Sequence, residues 1–132
     1  ILRSLRRVHK GRLLVLFGCG GDRDRQKRPL MAKAAARWAD GIIITDDNPR
    51  NEAPEAIRRE IVVGLPKNTR WRQAIEQTIA MMRQGDLLLL AGKGHEDYQI
   101  MQNKTIPFDE REIVTEILKS GRIPWKNCHC EK

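Results

Sequence analysis

At 132 residues, 40% hydrophobic and 32% charged, the chain suits one globular domain with a modest core and is not the composition of a disordered segment. A net charge of +8 points to an anionic partner, but aromatics are only 5%, so stacking platforms are scarce and nucleic acid is not the expected partner. No apolar run approaches a membrane span, the three cysteines make no disulfide framework, and Ile1–His9 lacks the apolar stretch of a signal peptide, so a cytoplasmic chain without membrane contact is expected.

Ile1, Leu2, Leu5 and Val8 share a helical spacing, so Ile1–His9 is predicted helical and to open mid-helix, as a piece of a larger protein would. Lys10-Gly11-Arg12 reads as its stop. Leu13–Phe17 is a continuous apolar run, predicted to be a strand buried on both faces. Gly18–Arg28 is a glycine-rich, charged loop, and the Ala-rich Pro29–Asp40 is predicted helical. Gly41–Thr45 gives a second buried strand, and Asp46–Glu52 a polar loop that turns at Asn48-Pro49. Ala53–Gly64 reads as a helix, Leu65–Arg70 as a connection of no clear class, and Trp71–Arg83 as a helix with an Ile75, Ile79, Met82 stripe. Asp86–Ala91 is a third apolar run, predicted to be a buried strand, followed by a second glycine-rich loop at Gly92–Asp97. Tyr98–Met101 and Lys104–Phe108 fit a hairpin around Gln102-Asn103, and Asp109 caps a last helix to Ser120 with Glu112 at its third position. These elements leave 1–121 as the domain and 122–132 as a flexible tail.

Alternating strands and helices imply an α/β class: a Rossmann-like three-layer domain with a mostly parallel sheet and a C-terminal hairpin. Ligands of such sheets bind beyond the carboxyl ends of the strands. That rule gathers Gly18–Arg28, Asp46–Glu52 and Gly92–Asp97 on one edge.

The first of these loops has neither the GxGxxG spacing nor a GxxxxGK[ST] phosphate loop, so its glycines read as a tight turn supplying positive φ. Arg23 beside that turn can hold a carboxylate through two parallel hydrogen bonds, whereas Arg25, Lys27 and Arg28 read as a solvated face. In the second loop an Asx-Pro turn competes with a ligand role, in which Arg50 takes an amino acid's carboxylate and the Asn48 oxygen its ammonium. In the third loop Gly92 and Gly94 flank Lys93 and permit close backbone approach, and Glu96 can accept from an ammonium. Lys93 and His95 are secondary candidates there, with a structural role for His95 as the plainer reading. Cys128-His129-Cys130 lacks the CxxC spacing of zinc sites, so no metal is expected on this chain.

Taken together, "FGCGGDRDRQKRPLMAKAAARWAD", "TDDNPRNEAPEAI" and "LLAGKGHEDYQI" resemble the C-terminal domain of the Mur ligases, in their diaminopimelate-adding branch, over about residues 1–120. The resemblance implies a cytoplasmic peptidoglycan-synthesis enzyme. ATP, with magnesium, converts the carboxylate of UDP-MurNAc-L-Ala-D-Glu to an acyl phosphate, and the amine of meso-diaminopimelate displaces the phosphate to form an amide. It implies Arg23, Asp47, Asn48, Pro49, Arg50, Gly92 and Glu96 as residues that bind the amino acid, and it assigns no catalytic residue here. ATP, magnesium and the UDP-MurNAc-dipeptide would be held mainly by a central domain, because the family's phosphate loop and carbamylated lysine are absent from this chain. The connection 65–72 is shorter than in the family, which implies a lost or shortened peripheral strand. Lysine-adding relatives resemble this pattern but lack the arginine after the proline. Diaminopimelate carries a second carboxylate that Arg50 can pair, while lysine would leave that cation without its anion. The alternatives are a lysine-adding ligase and a non-catalytic basic module for nucleotides or RNA.

Overall fold

The computed structural model describes residues 1–67, 71–72, 75–102 and 104–120. The tail 122–132 with Cys128-His129-Cys130, and Asn103 of the hairpin turn, lie outside the described residues.

Strands β1 (Leu13–Phe17), β2 (Gly41–Ile44), β3 (Trp71–Arg72) and β4 (Leu87–Leu90) form one parallel sheet in the order β3-β2-β1-β4. Central β1 pairs Leu14–Phe17 with Gly41–Ile44 on one side and Leu13–Leu16 with Leu87–Leu90 on the other. Its residues are all buried because both faces are covered. On one face Val15 and Phe17 meet Ala32 and Ala35 of α2 (Lys27–Trp38) and Ile57 and Ile61 of α3 (Pro54–Val62). On the other, Leu14 and Leu16 meet Ile79 of α4 (Ile75–Ala80) and Ile113, Val114 and Ile117 of α5 (Glu110–Lys119). The short α1 (Leu2–Val8) packs its Leu2 on the first cluster. The result is the three-layer α/β arrangement that alternating apolar runs dictate. Among the described residues no helix is long and apolar enough to cross a membrane.

Three expectations change. The predicted helix 71–83 divides into β3, which adds Trp71–Arg72 beside Ile42–Ile43 of β2, and the shorter α4. The peripheral strand is therefore kept, though only two residues long. Helix α4 stops where Met81 and Met82 donate to the carbonyls of Thr78 and Ile79, three residues back, tightening the chain into a turn. Strand β4 is only half-buried along its length, because it lies at the sheet edge instead of between two strands. Finally, α2 begins at Lys27, ahead of Pro29, which takes Arg28 into the helix and out of solvent.

The hairpin of β5 (Tyr98–Met101) and β6 (Lys104–Pro107) forms as expected. Asp109 accepts from the Arg111 amide at the start of α5, the cap its position implies.

Candidate functional site

In the order β3-β2-β1-β4 the sheet reverses direction of growth at β1, and the rule for open α/β sheets puts the ligand crevice beside that switch point. The loops after β1, β2 and β4 meet at this edge, and buried Asn48 joins them. Its backbone carbonyl accepts from the Gly21 amide at 2.8 Å in the first loop. Its carboxamide Nδ2 donates to Glu96 Oε2 at 3.0 Å in the third. Its Oδ1 accepts from Lys93 Nζ and, at 2.9 Å, from the Ile100 amide of β5. Gln99, also buried, donates to the carbonyls of Asp46 and Asp47 at 3.2 and 2.6 Å, so the hairpin holds the second loop from outside.

Two poles of charge lie either side of Asn48. On the anionic side, buried Lys93 sits 3.1 Å from Asp47 Oδ1 and 3.9 Å from Glu96 Oε2. One ammonium thus faces two carboxylates that remain about a third exposed. On the cationic side, Arg50 Nη1 donates to the carbonyls of Gly21 at 2.8 Å and Asn48 at 3.4 Å. Its Nε and Nη2 have no partner among the described residues. Arg50 has φ of 52°, and its backbone bridges to the hairpin, donating to the Ile100 carbonyl and accepting from the Gln102 amide. Positive φ is costly for a side chain of this size, and the paired backbone on both sides holds it there. A Cβ built on Gly20 would lie 2.8 Å from Arg50 Nη1 and 3.4 Å from Arg23 Cγ, so both arginine stems pass this glycine. Arg23 itself makes no hydrogen bond or ion pair among the described residues, and it is exposed.

The structure therefore brings Arg23, Asp47, Asn48, Arg50, Lys93 and Glu96 to one crevice, with buried Pro49 under the turn. Asn48 departs from its expected part. Both lone pairs of its Oδ1 are committed to Lys93 and Ile100, so that oxygen has no capacity left for a ligand ammonium. His95 stands exposed at the loop tip, after Lys93 and the left-handed Gly94. Among the described residues no group of His, Cys, Asp or Glu could hold a metal ion.

The glycines of the first loop act differently from the expected positive-φ turn. A Cβ on Gly18 would lie 2.6 Å from the Thr45 carbonyl, and one on Gly21 would lie 1.8 Å from the Pro49 carbonyl. They let two loops touch backbone to backbone, and the left-handed residue here is Asp22, at φ 53°. Burial pushes the neighbouring Cys19 thiol up to about 11, so it stays protonated at neutral pH.

Two buried charges escaped the sequence reading. Arg28, read as solvated, is 1% exposed and forks onto Glu52. This contact holds the Glu52 carboxyl down at about 2. A carboxyl depressed in the fold stabilises above its ordinary value of 4.5, and that stability is lost as pH falls toward about 2. Acid titration should therefore release the first loop in that window, readable as a drop in the midpoint of thermal unfolding. Glu110, at the start of α5, is the second. A Cβ on Gly92 would meet its Oε1 at 2.6 Å, so the carboxyl lies directly against the third loop. Burial raises its pKa against the favourable pull of the Lys93 amide. A raised carboxyl stabilises most at low pH and loses that contribution as pH rises through its folded value. Glu110→Gln keeps an acceptor for the Lys93 amide without the buried charge. It should raise the melting temperature at pH 7 and lose that advantage in acid, measured by calorimetry.

The family model described as "Mur ligase, glutamate ligase domain" matches residues 1–94. Two curated relatives carry the name UDP-N-acetylmuramoyl-L-alanyl-D-glutamate--2,6-diaminopimelate ligase. The one from Syntrophomonas wolfei is 46% identical over 93% of this chain and 27% of its own length. The one from Rickettsia typhi is 52% identical over 85% of this chain and 24% of its own. A solved structure of a ligase of that name superposes with a TM-score of 0.81 at 37% identity, covering 90% of this chain and 26% of the other. The chain spans about a quarter of the length of the curated relatives it matches. With its family model matched from α1 into the Gly92 loop, the chain belongs to the Mur ligase family.

Proposed function

We propose that this chain is the amino-acid-binding domain of a ligase that adds meso-2,6-diaminopimelate to UDP-MurNAc-L-Ala-D-Glu in cytoplasmic peptidoglycan synthesis. The observation that carries the reading is the cation–asparagine–anion series Arg50, Asn48, Glu96 across one crevice. The distal end of diaminopimelate is itself a zwitterion, with carboxylate and ammonium on one carbon. Its carboxylate pairs with the open Nε and Nη2 of Arg50, and Arg23 closes from the other side of Gly20. The ammonium goes to Glu96 and the Gly92 carbonyl, and Asp47 contributes negative charge. Asn48 Nδ2 now donates to Glu96 and is well placed to turn to the carboxylate when the ammonium takes its place. Pro49 sets the turn that presents both residues.

A grip at the distal carbon leaves the other amino group free. That amine attacks the acyl phosphate of the dipeptide, the C–N bond forms, and phosphate leaves with the C–O electron pair. The chain's part in this step is to hold and orient the amine. The glycine loop does not fit a nucleotide phosphate, because its glycines are filled by neighbouring backbone, and no step through ATP or magnesium is derived for this chain. Those groups are assigned to the rest of the ligase.

Calorimetry on the full-length ligase with meso-diaminopimelate, lysine and a short RNA tests the reading. Diaminopimelate should bind well ahead of lysine, and RNA not at all. Equal affinity for lysine, or RNA binding with a steep salt dependence, overturns it.

A further inference from the structure

Arg28, Glu52 and Asp22 form a chain of contacts that substrate binding does not use. The Arg28 fork places Nη1 2.8 Å from Glu52 Oε2 and Nη2 2.7 Å from Glu52 Oε1. Arg28 also donates to Glu60 Oε2 on α3 at 2.7 Å and to the Gly20 carbonyl at 3.1 Å. Glu52 Oε1 in turn accepts from the Asp22 amide at 2.7 Å. Asn51 Nδ2 donates to Asp22 Oδ2 at 2.8 Å. Asp22 has φ of 53°, a region that residues with a Cβ populate sparsely and keep only when their surroundings hold them there. Arg23 follows immediately.

We propose that the Arg28–Glu52 pair is a positioning device for the amino-acid site: it locks Asp22 in its left-handed conformation and thereby aims Arg23 across Gly20 toward Arg50. The proposal rests on the amino-acid-binding reading above. Arg28 and Glu52 do not touch substrate in it. Arg28 holds Glu52 in a single orientation, and Glu52 holds the Asp22 amide. With Glu52 gone, Asp22 relaxes to negative φ and the following residue swings away from the crevice. A rigid, buried fork suits this task better than a flexible ammonium, since it fixes both carboxylate oxygens at once.

The test uses the full-length ligase and measures KM for diaminopimelate, for ATP and for the nucleotide-dipeptide. Glu52→Ala should raise the diaminopimelate KM on the order of tenfold, the scale of a misplaced recognition group, and leave the other two unchanged. Asp22→Gly in the same protein should restore most of the loss, because glycine adopts positive φ without a clamp. Should Glu52→Ala fail to accumulate as folded enzyme, Arg28→Lys, which keeps the charge but not the fork, takes its place with the same expected pattern. Arg23→Ala runs alongside. If it raises the diaminopimelate KM and Glu52→Ala does not, the positioning role is overturned. If all three KM values rise together, or Asp22→Gly restores nothing, the pair only supports the fold and the proposal is likewise overturned. If Arg23→Ala has no effect, the site reading itself fails.

Discussion

Arg50→Ala should raise the KM for diaminopimelate roughly a hundredfold, which corresponds to about 3 kcal/mol of lost charge-assisted hydrogen bonding. ATP and nucleotide-dipeptide KM values should stay as they are. The guanidinium keeps two donor nitrogens open while its third is tied to the Gly21 and Asn48 carbonyls, so it is already held in the orientation in which it would meet a carboxylate. Little ordering remains to oppose binding. Arg50→Lys should recover the charge but not the fork, and fall between. The selectivity ratio is the sharper measure. Lysine has no distal carboxylate, so its weak use should hardly change, and preference for diaminopimelate should collapse toward parity. The left-handed backbone at Arg50 makes Arg50→Gly a useful control, since glycine removes the side chain without strain at φ 52°. If alanine and glycine variants both kept the wild-type ratio, Arg50 would not be the selecting cation.

The layers and the location of the crevice were legible because they follow from period and from polarity. Leu13–Phe17 and Gly41–Ile44 are apolar throughout and end at polar loops, and a parallel sheet turns that pattern into one functional edge. Arg50 and Glu96 were readable as charge in a turn. Asn48 was readable as a polar residue before proline, but not as the buried contact among three loops, since its side-chain partners lie 45 to 52 residues away along the chain. Arg28 was misread for a related reason. Its neighbours in sequence are Arg25 and Lys27, which are exposed, while Glu52 and Glu60 arrive from the next loop and helix. The split of 71–83 was hidden because two residues are too few for a strand period to show, and their pairing partner is β2. Leu87–Leu90 has the composition of a central strand, and only the strand order assigns it to the edge.

Lys93→Met should lower the melting temperature by roughly 10 °C, from a loss of about 3 kcal/mol in a domain of this size. Methionine fills the volume of the lysine stem, so packing contributes little to the loss. What changes is charge: Lys93 is 4% exposed, and its ammonium lies between Asp47, Glu96 and the Asn48 oxygen. Without it two carboxylates share a crevice with no cation between them. Their partial exposure lets water return some of the lost solvation, which keeps the cost at the low end for a broken buried pair. The Asn48 oxygen keeps its bond from the Ile100 amide, so the loop contact weakens without being abolished. A second consequence separates electrostatics from packing. On the proposed function, diaminopimelate would bring an ammonium into that crevice of the full-length ligase, so it should raise the variant's melting temperature by more than it raises the wild type's. A deficit that is small, or a diaminopimelate response no larger than the wild type's, would mean that Lys93 is not the counter-charge for this pair of acids.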